Sequence, residues 1–85
     1  LYLQGKEEVG IEKNTKKALE YLEISAKKGN AEAQYKLGML YLQGKEEAGI
    51  EKNLKKALEY LEISAKQGNS SAQSNVGMLY LQGDK

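Results

Sequence analysis

Leu37-Gly38-Met39-Leu40-Tyr41-Leu42-Gln43-Gly44 returns later in the chain as Val76-Gly77-Met78-Leu79-Tyr80-Leu81-Gln82-Gly83, and its last five residues open the sequence as Leu1 to Gly5. Leu1, Leu40 and Leu79 are therefore spaced by 39 residues, and a fixed period of about 20–50 residues marks a stacked array of small units. Setting residues 1–39 against 40–78 leaves eight mismatches, at 9/48, 15/54, 28/67, 31/70, 32/71, 35/74, 36/75 and 37/76, and 31 identities. Recurrence inside the chain also identifies the opening Leu-Tyr-Leu-Gln-Gly as repeat sequence, not the remnant of a protease site.

Composition narrows what such an array can do. A self-contained globule of 85 residues buries only about 60–65% of its unfolded surface, so the stability of this single domain is expected to come from stacking one unit on the next. Cysteine and histidine are both absent. Without them there is no disulfide framework, no thiolate or imidazole metal site and no general base tuned to neutral pH, so no enzyme activity, cofactor or metal is expected. The net charge is +1, from 13 lysines, no arginine and 12 acidic residues interspersed along the chain; a nucleic-acid reader would show a basic face with arginine forks. No apolar run approaches the ~20 residues of a membrane span. The acidic residues Glu7, Glu8 and Glu12 with Asn14 lack the alternating spacing of a calcium loop.

The order of signals predicts an all-α chain. Leu1 to Gln4 repeat the end of the motif helix, and Gly5 supplies its left-handed stop. A loop over Lys6 to Lys13 follows, with Gly10 turning the chain and Ile11 tucking inward. Asn14 is a good N-cap for a helix from Thr15 to Lys28 with a wide apolar face of Ala18, Leu19, Tyr21, Leu22, Ile24, Ser25 and Ala26. Lys16, Glu20, Glu23 and Lys27 fall on the opposite, solvated stripe. Gly29 stops that helix and Asn30 caps the next at once, so the two must run antiparallel. The next helix covers about Ala31 to Gln43, with Ala33, Leu37, Leu40 and Tyr41 on one face. Gly44 ends it, Lys45 to Lys52 repeats the long loop with Gly49 and Ile50, and Asn53 caps a second copy of the first helix through Gln67. Gly68-Asn69 repeats the short corner before a last helix from about Ser70 to Gln82. Gly38 costs about 1 kcal/mol relative to alanine inside a helix, so its return as Gly77 predicts another backbone passing close at both places, with retention by chance in a recent duplication as the competing explanation. Ser25 and Ser64 read as small packing residues with nothing beside them to activate a hydroxyl.

Helix pairs with Leu-Gly-x-x-Tyr in the first helix, small residues in the second and Gly-Asn at the junction resemble the Sel-one-like repeat (SLR) family of the tetratricopeptide-like superfamily. The resemblance rests on Ala33-Gln34, Leu37-Gly38, Tyr41, Gly44, Ala57, Tyr60, Ala65, Gly68 and Ala72-Gln73, with Leu1, Tyr2, Gly5, Ala18, Tyr21, Ala26 and Gly29 in a partial first unit. The period exceeds the family's usual mid-thirties by a few residues placed in the Gly5–Gly10 and Gly44–Gly49 loops, and Ser25 and Ser64 stand where the family often has alanine. The resemblance implies a right-handed α-solenoid of antiparallel helix pairs, about two full repeats of 39 residues plus partial flanking helices, in a single segment over 1–85 with units 1–39 and 40–78 and a partial unit 79–85. It further implies a protein-interaction scaffold or adaptor that binds protein or peptide partners without chemistry of its own.

In such solenoids the first helix of each pair lines the concave side. Opposite the Leu37–Tyr41 face lie Glu32, Lys36, Met39 and Gln43, with Tyr35 at their edge; the equivalents are Ser71, Asn75, Met78 and Gln82, with Ser74. Four of the eight differences between repeats fall at 31/70, 32/71, 35/74 and 36/75. These ten residues are the expected partner-binding surface. Two other functions fit the pattern: a structural protein whose units stack head to tail between chains, and an accessory segment of an enzyme. Because the sequence begins inside a unit, a longer array is expected, and Leu19, Leu22 and Ile24 at one end and Leu79 and Leu81 at the other are expected to be incompletely covered.

Overall fold

The structure, a computed structural model, describes residues 14–83; the readings of Leu1 to Gly5 as a helix end and of Lys6 to Lys13 as a loop holding Ile11 lie outside them. Four helices of 13 residues follow one another: α1 Thr15–Lys27, α2 Ala31–Gln43, α3 Leu54–Lys66 and α4 Ser70–Gln82. Each starts where an asparagine side chain accepts the backbone N–H three residues on. Asn14 accepts from Lys17 at 3.0 Å, Asn30 from Ala33 at 2.8 Å, Asn53 from Lys56 at 3.0 Å and Asn69 from Ala72 at 2.8 Å. An N-cap of this kind satisfies one of the amides that a helix leaves without an internal partner.

The two short corners are built alike. Gly29 adopts φ +99° and Gly68 φ +102°, the left-handed conformation that a side chain would strain. Gly29 N–H donates to the Ala26 carbonyl at 3.0 Å and Asn30 N–H to the Ser25 carbonyl at 3.1 Å, the paired bonds of a Schellman stop. Asn30 thus closes α1 with its backbone while its side chain opens α2, and Asn69 does the same between α3 and α4. No residue is left over for a loop, so the chain reverses at once.

The long corner is different. Gly44 turns the chain out of α2, Lys45 and Ile50 form a small antiparallel bridge, and between them Glu46–Ala48 makes one 3-10 turn. That turn lies against α1, with Ala48 and Ile50 buried. Asn53 N–H donates to the Tyr41 carbonyl at 2.8 Å, pinning the start of α3 to the end of α2.

The most extensive helix contact is α2 on α3. Leu37 and Leu61 are fully buried within it, and Ala26, Ala33 and Leu37 form a core flanked by Leu19, Leu22, Leu40 and Tyr60. A Cβ built on Gly38 would lie 2.6 Å from Leu61 Cγ, 2.7 Å from its Cδ2 and 3.3 Å from the Ala57 carbonyl oxygen. The close approach expected there is real, but its main partner is a leucine side chain rather than a backbone. The expectation fails at Gly77, where a Cβ would meet nothing within 4 Å. Gly77 faces the position that α3 occupies over α2, and no helix among the described residues covers it.

The apolar face predicted for α1 is also narrower than expected. Leu19, Leu22 and Ala26 pack inward, whereas Tyr21, Ala18 and Ile24 are exposed. Ile63, one period on, is exposed as well, so that position lies beyond the edge of the buried arc. Glu23, placed on the solvated stripe by periodicity, is half-buried near Tyr60. At the ends, Leu19, Leu22 and Leu79 are half-buried, while Leu81 is 78% exposed.

Ser64 is fully buried and donates to the Ala31 carbonyl at 2.7 Å, tying α3 to the first turn of α2. Its hydroxyl proton is committed to a structural bond. Ser64→Ala is expected to lower stability by about 1 kcal/mol, the net worth of a hydrogen bond, read as a drop in the urea midpoint at unchanged slope.

Candidate functional site

The residues singled out for binding fall on α2 and α4, and the structure brings the two rows together at one seam. Asn75 Nδ2 donates to Met39 Sδ at 3.4 Å, so the two helices meet at this point, and both side chains are half-buried. Glu32, Lys36, Ser71, Ser74 and Met78 flank this pair on exposed positions, and Tyr35 is half-buried. Lys36 and Glu32 form an i,i+4 pair at 3.8 Å with both side chains more than half exposed, a contact worth a few tenths of a kcal/mol at most. Gln43 and Gln82 sit apart from the seam: Gln43 borders the Lys45–Lys52 corner, and Gln82 lines an apolar groove at the end of α4.

Three features that sequence reasoning did not assign to a role hold this surface in place. The first is Gln34, which is buried and polar. It donates to the Ala26 carbonyl at 3.0 Å and accepts from Gln67 Nε2 at 2.6 Å, so one amide joins α1, α2 and α3. Gln73 repeats the first bond, to the Ala65 carbonyl at 3.0 Å. A polar residue recurring beside a buried alanine was the available signal, since a buried amide is retained only when its bonds are made. The second is a stack of Tyr41 on Tyr60, with ring centroids 5.9 Å apart, planes within 5°, and Lys56 Nζ 5.0 Å from the Tyr41 centroid. Burial pushes the Tyr60 phenol above its ordinary range, helped by the negative charge of Glu23 and by Tyr41 and opposed by the Lys56 ammonium. The third is Tyr80, whose hydroxyl donates to the Glu62 carboxylate. That bond, and the charge of Glu62, favour the neutral phenol and raise its pKa.

The groove beside Tyr80 is an open cavity of about 710 Å³ lined by Leu42, Lys52, Leu54, Lys55, Leu58 and Leu79, with Tyr80, Gln82 and Gly83 at its rim. Its walls are leucine-rich with two lysines. No helix among the described residues is long and apolar enough to cross a membrane.

Helix pairs stacked through a leucine-over-glycine contact, with asparagine-capped corners and a shared polar tie, define a helical-repeat scaffold. Comparison with known proteins places it more narrowly. The Sel1 repeat family matches residues 1–30, 31–69 and 70–85, and the chain belongs to that family. The matched units phase the repeat so that one full unit comprises α2, the long corner and α3. The chain is also similar to the crystal structure of a protective antigen present in uropathogenic Escherichia coli strains and displaying an SLR fold, at 37% identity and a TM-score of 0.77. The match covers 92% of this chain and 16% of that one, so the chain spans about one sixth of that protein. No curated protein matches it. Sel1 repeats generally serve as non-catalytic scaffolds for protein partners.

Proposed function

We propose that this chain holds a protein or peptide partner on the surface that α2 and α4 share, without catalysis. The observation that carries the reading is the Met39–Asn75 seam. It sets the exposed row of Glu32 and Lys36 beside that of Ser71, Ser74 and Met78, a mixed apolar and polar strip two helices wide. Met39 and Met78 supply polarizable, adaptable contact, and the polar flank supplies selectivity. The strip also contains three of the repeat's eight differences, at 32/71, 35/74 and 36/75, so neighbouring units offer a partner different chemistry on one backbone.

Tyr35→Ser with Lys36→Asn copies the second repeat's own residues and is expected to lower the thermal midpoint by only a few degrees, because half-buried Tyr35 gives up some apolar contact while Lys36 is exposed and its pair with Glu32 is weak. Peptides selected from a random library on the wild-type chain, measured by titration calorimetry, should bind this variant at least about tenfold more weakly, a loss near 1.4 kcal/mol. Selected peptides that bind both proteins equally would rule out this strip as the binding surface.

A further inference from the structure

Among the described residues, the hydrogen bond that joins α2 directly to α4 has a sulfur as its acceptor. Asn75 Nδ2 donates to Met39 Sδ at 3.4 Å, and both side chains are half-buried. Otherwise the two helices are held together through α3, which packs against both. A thioether is a weak acceptor, so the direct tie between one unit and the next is poor as it stands. Its donor belongs to this position alone. Residue 75 is one of the places where the repeats differ, and the equivalent Lys36 turns instead to Glu32 at 3.8 Å.

Oxidation changes that acceptor without changing the chain. The sequence contains no cysteine, histidine or tryptophan, so its two methionines, Met39 and Met78, are the side chains that a peroxide oxidises most readily. The thioether sulfur attacks one oxygen of hydrogen peroxide with a lone pair. The S–O bond forms as the O–O bond breaks, and with a proton shift the second oxygen leaves as water; the sulfur gives up two electrons and the peroxide takes them. Half-burial of Met39 leaves an approach for a molecule this small. The sulfoxide oxygen that results carries far more negative charge than the sulfur it sits on and is a strong acceptor. At the end of a flexible side chain, it comes within reach of the Asn75 amide already aimed at the sulfur.

We propose that Met39 is an oxidation site whose sulfoxide is captured by Asn75, so that peroxide tightens the contact between α2 and α4. A sulfoxide in a packed position ordinarily loosens it, because a polar group removed from water without a partner costs stability. Here the donor is already in place, and the stronger hydrogen bond offsets that cost. The consequence is a firmer placement of one unit against the next, with each helix itself unaltered. The contact is the one that carries the proposed binding surface, but the inference does not rest on that reading, since it is read in the isolated chain with no partner present.

Thermal melts of the full chain carrying Met78→Leu test it, because Met39 is then the sole methionine and intact mass reports its oxidation as the gain of one oxygen atom. Hydrogen peroxide, applied at a temperature where the chain is folded, should convert Met39, and the midpoint should stay level or rise. In the same background Asn75→Ala, and the shape-matched Asn75→Asp, which has no amide N–H to donate, should each melt lower once oxidised. The oxidation-induced shift should differ between the Asn75 chain and these variants by roughly 4–8 °C, the effect of one hydrogen bond of ordinary net strength in a domain of this size. Each protein is compared with its own reduced form, so any loss caused by the substitution itself cancels. A second readout is the side-chain amide proton resonance of Asn75, which should move downfield on oxidation as its bond strengthens. A Met39 that stays unoxidised in the folded chain, an Asn75 chain destabilised by oxidation as much as the variants, or an Asn75 amide resonance that does not move would each overturn the proposal.

Discussion

Gly38→Leu is expected to lower the thermal midpoint by more than about 10 °C at concentrations where the chain is monomeric, while Gly77→Leu leaves it unchanged or raises it. At Gly38 the first added carbon already lies 2.6 Å from Leu61 Cγ. Leu61 is fully buried and cannot swing aside, and the Ala57 carbonyl closes the remaining direction at 3.3 Å. Forcing a leucine into such a crossing costs about 3 kcal/mol or more, and 1 kcal/mol corresponds to roughly 4–8 °C in a domain of this size. At Gly77 nothing lies within 4 Å and the backbone is helical, so the substitution only removes glycine's helix penalty of about 1 kcal/mol. Paired melts at low concentration decide it. Equal losses at both positions would mean that α4 is covered by something the structure does not place there.

Leu61→Ala should cost about 3 kcal/mol, within the range for truncating a fully buried leucine. More informative is its combination with Gly38→Ala. The alanine methyl at position 38 would enter the volume that the leucine vacates, so the double variant should be more stable than the two single losses predict, by on the order of 1 kcal/mol. Urea titrations of the four proteins supply the cycle. Strict additivity would show that the two side chains do not compete for one space.

Helix boundaries were legible because their signals are local. Asn14, Asn30, Asn53 and Asn69 mark the starts, and Gly29, Gly44 and Gly68 mark the stops, within about a residue of the observed ends. Contacts across helices were less legible, because identical residues meet different neighbours. Gly38 and Gly77 share a motif, yet only the first has a leucine above it; Tyr60 stacks on Tyr41 while Tyr21, one period back, is exposed. Periodicity likewise put Glu23 in solvent, where the structure has it half-buried near the Tyr60 phenol. For the residues expected to bind, the wheel grouped positions on α2 and α4 but gave no sign that Asn75 would reach Met39, a pairing set by how α4 lies against α2. Gln82 was grouped with that row by its spacing and instead lines the end groove.

The short corners have a consequence for how a copied array can change its length. At Gly29-Asn30 the glycine provides the positive φ, while the asparagine amide closes one helix and its side chain opens the next. A single inserted residue would pull these adjoining functions apart, so that the Schellman bond and the N-cap could no longer be made by one asparagine. The Gly44–Asn53 corner is held by the Lys45–Ile50 bridge, the Asn53 to Tyr41 bond and the burial of Ala48 and Ile50, but the space around Gly49 is open. Insertions arising by duplication error would therefore survive on that side and be lost on the other, which matches where this chain carries the residues that lengthen its period.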